Sequence, residues 1–62
     1  MTVKTSYGKI TASKETLNEL SIIFQEASEN YEKQGRMTLA SQAMETSLEI
    51  YEILGMDGYY KD

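Results

Sequence analysis

Two stripes of apolar residues at helical spacing, separated by one glycine, restrict what this chain can become. Leu17, Leu20, Phe24, Ala27 and Tyr31 recur at steps of three and four, and Met37, Ala40, Met44, Leu48 and Tyr51 do so again beyond Gly35. Such spacing lines one face of an α-helix. Gly35 offers a left-handed C-terminal cap and a turn between the two. With so short a connection the helices should lie antiparallel and adjacent. The pattern predicts an all-α fold, a two-helix hairpin with a short N-terminal arm. It does not by itself name a function.

The boundaries follow from local signals. The first helix is expected from Lys14 to Gln34, with Ser13 as N-cap, Thr11 as its rival, and Glu15 in the first turn where the macrodipole favours an acid. Glu29 and Lys33 stand at i,i+4 in the favourable order. The second helix is expected from Met37 to Leu54, stopped by Gly55. No proline interrupts either segment. Residues 56–62 read as a tail in which Asp57-Gly58 marks a turn before Tyr59 and Tyr60. In residues 1–12, Val3, Thr5 and Tyr7 alternate with Lys4 and Ser6, a short strand signal that Gly8 and Lys9 could turn back through Ile10. An arm draped over the helices fits the same residues, because a ribbon this short is marginal alone.

A 62-residue chain makes one small domain. Such a domain buries only about 60% of the surface its unfolded chain exposes. Small folds compensate with disulfides, metals or partner chains. The sequence contains no cysteine and no histidine, which removes disulfides, thiolate sites and the commonest metal ligand. Association with another chain is the remaining route. The stretch from Met1 to Ala12 lacks the apolar core of a signal peptide, and no apolar run approaches the ~20 residues of a membrane span. A cytoplasmic protein with no membrane partner is the expectation.

Angular bookkeeping points to where that association should occur. At ~100° per residue, Met37, Ala40, Met44, Leu48 and Tyr51 fall within roughly 80° of one another, and Leu39, Ala43, Ile50 and Leu54 lie on the flank beside them. One partner helix covers a stripe about 100° wide. The Met44–Tyr51 face is therefore assigned to the first helix. The flank of Leu39, Ala43, Ile50 and Leu54, with Ile53 just beyond it, is assigned to a second copy, completing a four-helix assembly. Ile22 falls among Glu15, Glu26 and Lys33, either singly exposed or covered by the arm or a second chain. Tyr59 and Tyr60 are interface candidates too, unless one tucks against the helices and the other is solvated.

From Ala27 to Leu48 the spacing resembles a tetratricopeptide repeat. Tyr31 stands four residues before the turn glycine Gly35, followed by the small residue Ala40, the large apolar Met44, and the small–large pair Ser47-Leu48. Phe24 could fill the large position opening the first helix. The pattern departs from the family at Ala27, at Ser28 and at Glu52, where leucine, a smaller residue and proline are usual, and it occurs once where about three repeats normally stack. The resemblance implies a peptide-binding or self-associating hairpin.

Catalytic chemistry has few groups to draw on. No glycine-rich phosphate loop is present, and no cofactor or metal ligand set can be assembled. Glu45, Glu49 and Glu52 share a helix face and read as solvated, or else as a patch for a basic partner. Ten acids against six bases give a net charge of −4, which argues against nucleic acid as a partner. A recognition helix would also need bases and amides beyond Arg36 and Gln42. The function expected from these readings is non-catalytic: a small acidic protein-binding or regulatory module, in the style of phage or mobile-element modulators of a host protein. A small transcription regulator and a purely structural subunit are the alternatives.

Overall fold

A computed structural model describes residues 1–60. The element order is β1 (Thr2–Thr5), β2 (Gly8–Thr11), α1 (Lys14–Lys33) and α2 (Met37–Met56). The two helices pack together, and the arm is an antiparallel hairpin laid over α2, so the fold is mostly helical with a two-strand ribbon. In the ribbon Val3 pairs with Ile10 and Lys4 with Lys9. Val3 and Thr5 are buried and the two lysines are exposed, the alternation a one-sided strand requires. The positive φ that closes the turn falls on Gly8, at +110°. Thr5 locks it, donating its hydroxyl to the Gly8 carbonyl at 2.7 Å and accepting the Tyr7 N–H at 3.1 Å.

Both helix ends follow one device. Ser13 caps α1 by accepting the Thr16 N–H at 3.2 Å. At its C-terminus the Gly35 and Arg36 N–H groups donate to the Glu32 and Tyr31 carbonyls, with Gly35 left-handed at φ +75°. At the end of α2 the Gly58 and Tyr59 N–H groups donate to Gly55 and Leu54, with Gly58 at φ +81°. Each is the paired closure of a Schellman motif. Gly55 therefore does not stop α2 as the sequence suggested; it lies inside a helix that runs to Met56, and Gly58 is the stop. The Glu29–Lys33 pair expected from spacing is not formed either. Among the described residues the one ion pair is Lys14–Asp57, which joins the start of α1 to the end of α2.

The helix interface is made of small residues. Leu17, Ser21 and Ser28 of α1 are buried, as are Ala40, Ala43, Thr46, Ser47, Ile50 and Leu54 of α2. The Ser28 hydroxyl donates to the Ala40 carbonyl at 2.7 Å, and the Ser47 hydroxyl donates to the Ser21 carbonyl at 2.6 Å. A serine oxygen is one carbon from its own backbone, so these bonds require closely approaching helices. Among the described residues no buried side-chain polar atom lacks a partner. Larger side chains collect where the ribbon meets the helices. Val3, Leu17, Ile50 and Leu54 form the core there, with Ile10, Leu20, Phe24, Ile53 and Tyr59 packed around them. Tyr7 stacks on Phe24 with ring centroids 5.4 Å apart.

This arrangement corrects the expected allocation of faces. Ala43, Ile50 and Leu54 are fully buried within the monomer. The ribbon covers Ile50 and Leu54 of the flank that had been assigned to a second copy, the α1 seam takes Ala43, and Leu39 stays exposed. The face assigned to α1 is the exposed one, with Met37, Leu48 and Tyr51 each more than half accessible. The cause is the small-residue seam: Ala40, Ala43 and Ser47 bring α1 onto the flank side of the wheel, which rolls Met37, Leu48 and Tyr51 outward and leaves Met44 half-buried.

Two stability predictions follow. Ala43→Leu should overpack the seam and cost about 1–3 kcal/mol, read as a lower urea midpoint at constant slope. Gly35→Ala should cost about 1 kcal/mol because a β-carbon opposes the left-handed conformation, whereas Gly55→Ala, in the last turn of α2, should add up to about 0.5 kcal/mol. Neither added β-carbon would meet an atom within 4 Å, so backbone conformation alone sets the opposite signs, and thermal midpoints moving the same way would refute the assignment.

Candidate functional site: an acidic-rimmed apolar groove

On the side away from the ribbon, α1 and α2 leave an open groove. Its first depression, about 470 Å³, is lined by Ser28, Glu32, Met37, Ala40, Ser41, Met44, Glu45 and Leu48. The second, about 330 Å³, is lined by Asn18, Ser21, Ile22, Gln25, Met44, Ser47, Leu48, Tyr51 and Tyr60. Met44 and Leu48 belong to both, so the two are continuous. The floor is the small-residue seam and the walls are large apolar side chains from α2, with Ile22 facing them from α1.

Tyr60 closes one end. Its ring stacks on Tyr51 at 4.7 Å between centroids, and its hydroxyl donates to Asn18 Oδ1 at 2.7 Å. Tyr59 meets Tyr60 edge-on and sits half-buried against the core. The Schellman closure after α2 turns the chain back and places both rings. Partial burial disfavours the Tyr60 phenolate, and the neighbouring Tyr51 adds to this against an opposing contribution from Ser21, so the phenol titrates above its ordinary value of 10.0. Lys14 is also raised above 10.5, first by its hydrogen bond to Asp57 and then by that carboxylate's charge.

The residues singled out from sequence thus divide. Ile22 and Tyr60 lie in the groove. Leu39 is exposed near the start of α2, outside the residues that line it. Ala43, Ile50 and Leu54 are core, and Ile53 and Tyr59 are packed against it. Sequence reasoning had found Met37, Met44, Leu48 and Tyr51 but had placed them inside. Glu49 leaves the solvated acidic face expected for it: it is half-buried and accepts the Ser6 N–H and hydroxyl at 3.2 and 3.1 Å, tying the ribbon turn to α2. Glu45 and Glu52 remain exposed.

Among the described residues no cluster of acids could hold a metal ion, and no helix is long and apolar enough to cross a membrane. No protein-family model, curated protein or solved structure matches the chain. The chemistry on offer in the groove is apolar contact with a few amide and hydroxyl groups and the carboxylates of Glu32 and Glu45 at its rim.

The raised values of Tyr60 and Lys14 predict alkaline release of the tail. Both groups have native pKa values above their unfolded ones, so their contribution is whole below about pH 10 and is lost as pH rises through the native values. In a pH titration by NMR, the Tyr60 ring should titrate later than a free tyrosine derivative, and its contacts with Tyr51 should vanish as it does. A Tyr60 midpoint at or below that of the free derivative would contradict this.

Proposed function

We propose that the protein is a non-catalytic protein-binding module and that the groove between α1 and α2 is its docking surface. The observation that carries the reading is the exposure of one continuous apolar face. Leu48 is 57% exposed, Tyr51 56%, Met37 60% and Ile22 49%, all on one side of a molecule whose other side is covered by its own ribbon. Clustered apolar exposure marks interaction surfaces, whereas scattered exposure is ordinary. Methionines at a binding face adapt to different partner shapes, and tyrosine is a frequent anchor. The resemblance of residues 27–48 to a tetratricopeptide hairpin supports the same kind of role.

A second reading is self-association. Met37, Met44, Leu48 and Tyr51 follow steps of seven, four and three, the rhythm of a helix-bundle seam. Two copies joined through this face would give a four-helix assembly, with its contact at the groove instead of at the Leu39–Leu54 flank.

Site-specific photo-cross-linking distinguishes a docking surface from an idle one. A cross-linking amino acid at position 48, compared with one at Lys9 on the ribbon, should capture a protein in extracts of the source cell, and Tyr51→Gln in the same chain should abolish the capture. Equal capture from both positions, or from neither, would refute the assignment. Circular dichroism should show Tyr51→Gln as helical as the parent.

A further inference from the structure

We infer that the occupant of the groove is a basic amphipathic helix of a partner protein. The inference rests on the docking reading above and adds the chemistry of the partner.

Shape argues for a helix. The apolar wall runs from Met37 to Tyr51 along α2, about 21 Å at ~1.5 Å per residue. That length takes about four turns of an incoming helix. Helices dock in such grooves through anchors at i, i+3/i+4 and i+7, and the wall residues offer the matching rhythm. An extended peptide would instead seek free backbone groups, but both walls are helices whose backbone bonds are made internally.

Charge argues for a basic helix. Among the described residues, those lining the groove include Glu32 and Glu45 and no lysine or arginine. Exposed Glu52, one turn beyond Leu48, continues the strip of Glu45. Glu29 and Glu32 flank a neighbouring depression together with Lys33, and exposed Arg36 precedes Met37 at the same end of the groove. Among the described residues the single ion pair is Lys14–Asp57, so none of these rim acids is held in an ion pair there. A ligand with an apolar stripe flanked by lysine or arginine would set its cations against both walls. A second copy of this chain fits worse. Each copy carries a net charge of −4, and a contact through the groove would turn one acidic rim toward another, where like charges disfavour association.

Fluorescence anisotropy with two labelled synthetic peptides tests this. Each is an amphipathic helix of about five turns with leucine on one face, one carrying lysine and the other glutamate on the rest. At low salt the lysine peptide should bind at least tenfold more tightly, and the difference should shrink toward physiological ionic strength and above. Glu32→Lys combined with Glu45→Lys should invert the preference. Leu48→Gln should weaken the lysine peptide about tenfold, the loss of one buried leucine side chain. Equal affinity for both peptides would overturn the charge argument while leaving the docking surface intact. Binding that ignores Leu48→Gln would overturn the site. No binding by either peptide overturns the inference as well; if the chain then sediments as a dimer that Leu48→Gln dissociates, the occupant is a second copy and the docking reading survives. The docking reading itself fails if cross-linking at position 48 is silent too, or is matched by cross-linking at position 9.

Discussion

The contact on which the rest of this structure depends is the seam between α1 and α2, where two serine hydroxyls reach across to the opposing backbone. Ser28 bonds Ala40 and Ser47 bonds Ser21. A buried hydroxyl is costly unless it is paired, and these are paired to carbonyls that only close helix approach brings within reach. Alanines at 40 and 43 leave room for that approach. Small side chains bury little apolar area, so the seam contributes geometry more than hydrophobic free energy. It sets the rotation of each helix about its axis, and with it which larger residues face inward.

That rotation explains why the ribbon is needed. With small residues at the contact, Leu17, Ile50 and Leu54 emerge on one side of the helix pair. A two-helix layer cannot cover them. Val3 and Ile10, paired across the ribbon, lie over this side and complete the core. The Tyr7–Phe24 stack and the Glu49 bonds to Ser6 hold the turn of the ribbon against both helices. In a chain without cysteine or histidine the ribbon does what a staple does in other small domains. A two-stranded ribbon is marginal alone; here the helices supply its missing face.

The same rotation leaves the groove. The Cα envelope is 15 Å in its thinnest direction, so there is a single layer of helices with the ribbon on one side and solvent on the other. Met37, Leu48 and Tyr51 leave more than half of their surface exposed, with Met44 half-buried between them. A fold of this size loses stability by leaving them exposed, which is the physical reason for assigning them to a partner. Tyr60, stacked at the end of the groove, extends the same surface with residues from beyond α2.

Much of the fold was legible in the sequence because its signals are local. Helix existence follows from apolar spacing, the Ser13 cap from a serine ahead of that spacing, and the first turn from a glycine whose left-handed conformation disfavours other residues. The end of α2 was misjudged by two residues because Gly55 and Gly58 are both local candidates, and only the closure onto Leu54 and Gly55 distinguishes them. The face assignment was not legible. Hydrophobicity counts ranked Met44, Leu48 and Tyr51 as the natural inner stripe, since large apolar residues outweigh alanine and serine in any such count. The tertiary structure decided otherwise. Two helices come closest where side chains are smallest and hydroxyls can be satisfied, and a ribbon from the far end of the chain covers one flank and not the other. Which elements form was set by the sequence locally. Which apolar surface stays exposed was decided by the packing of residues far apart in the chain.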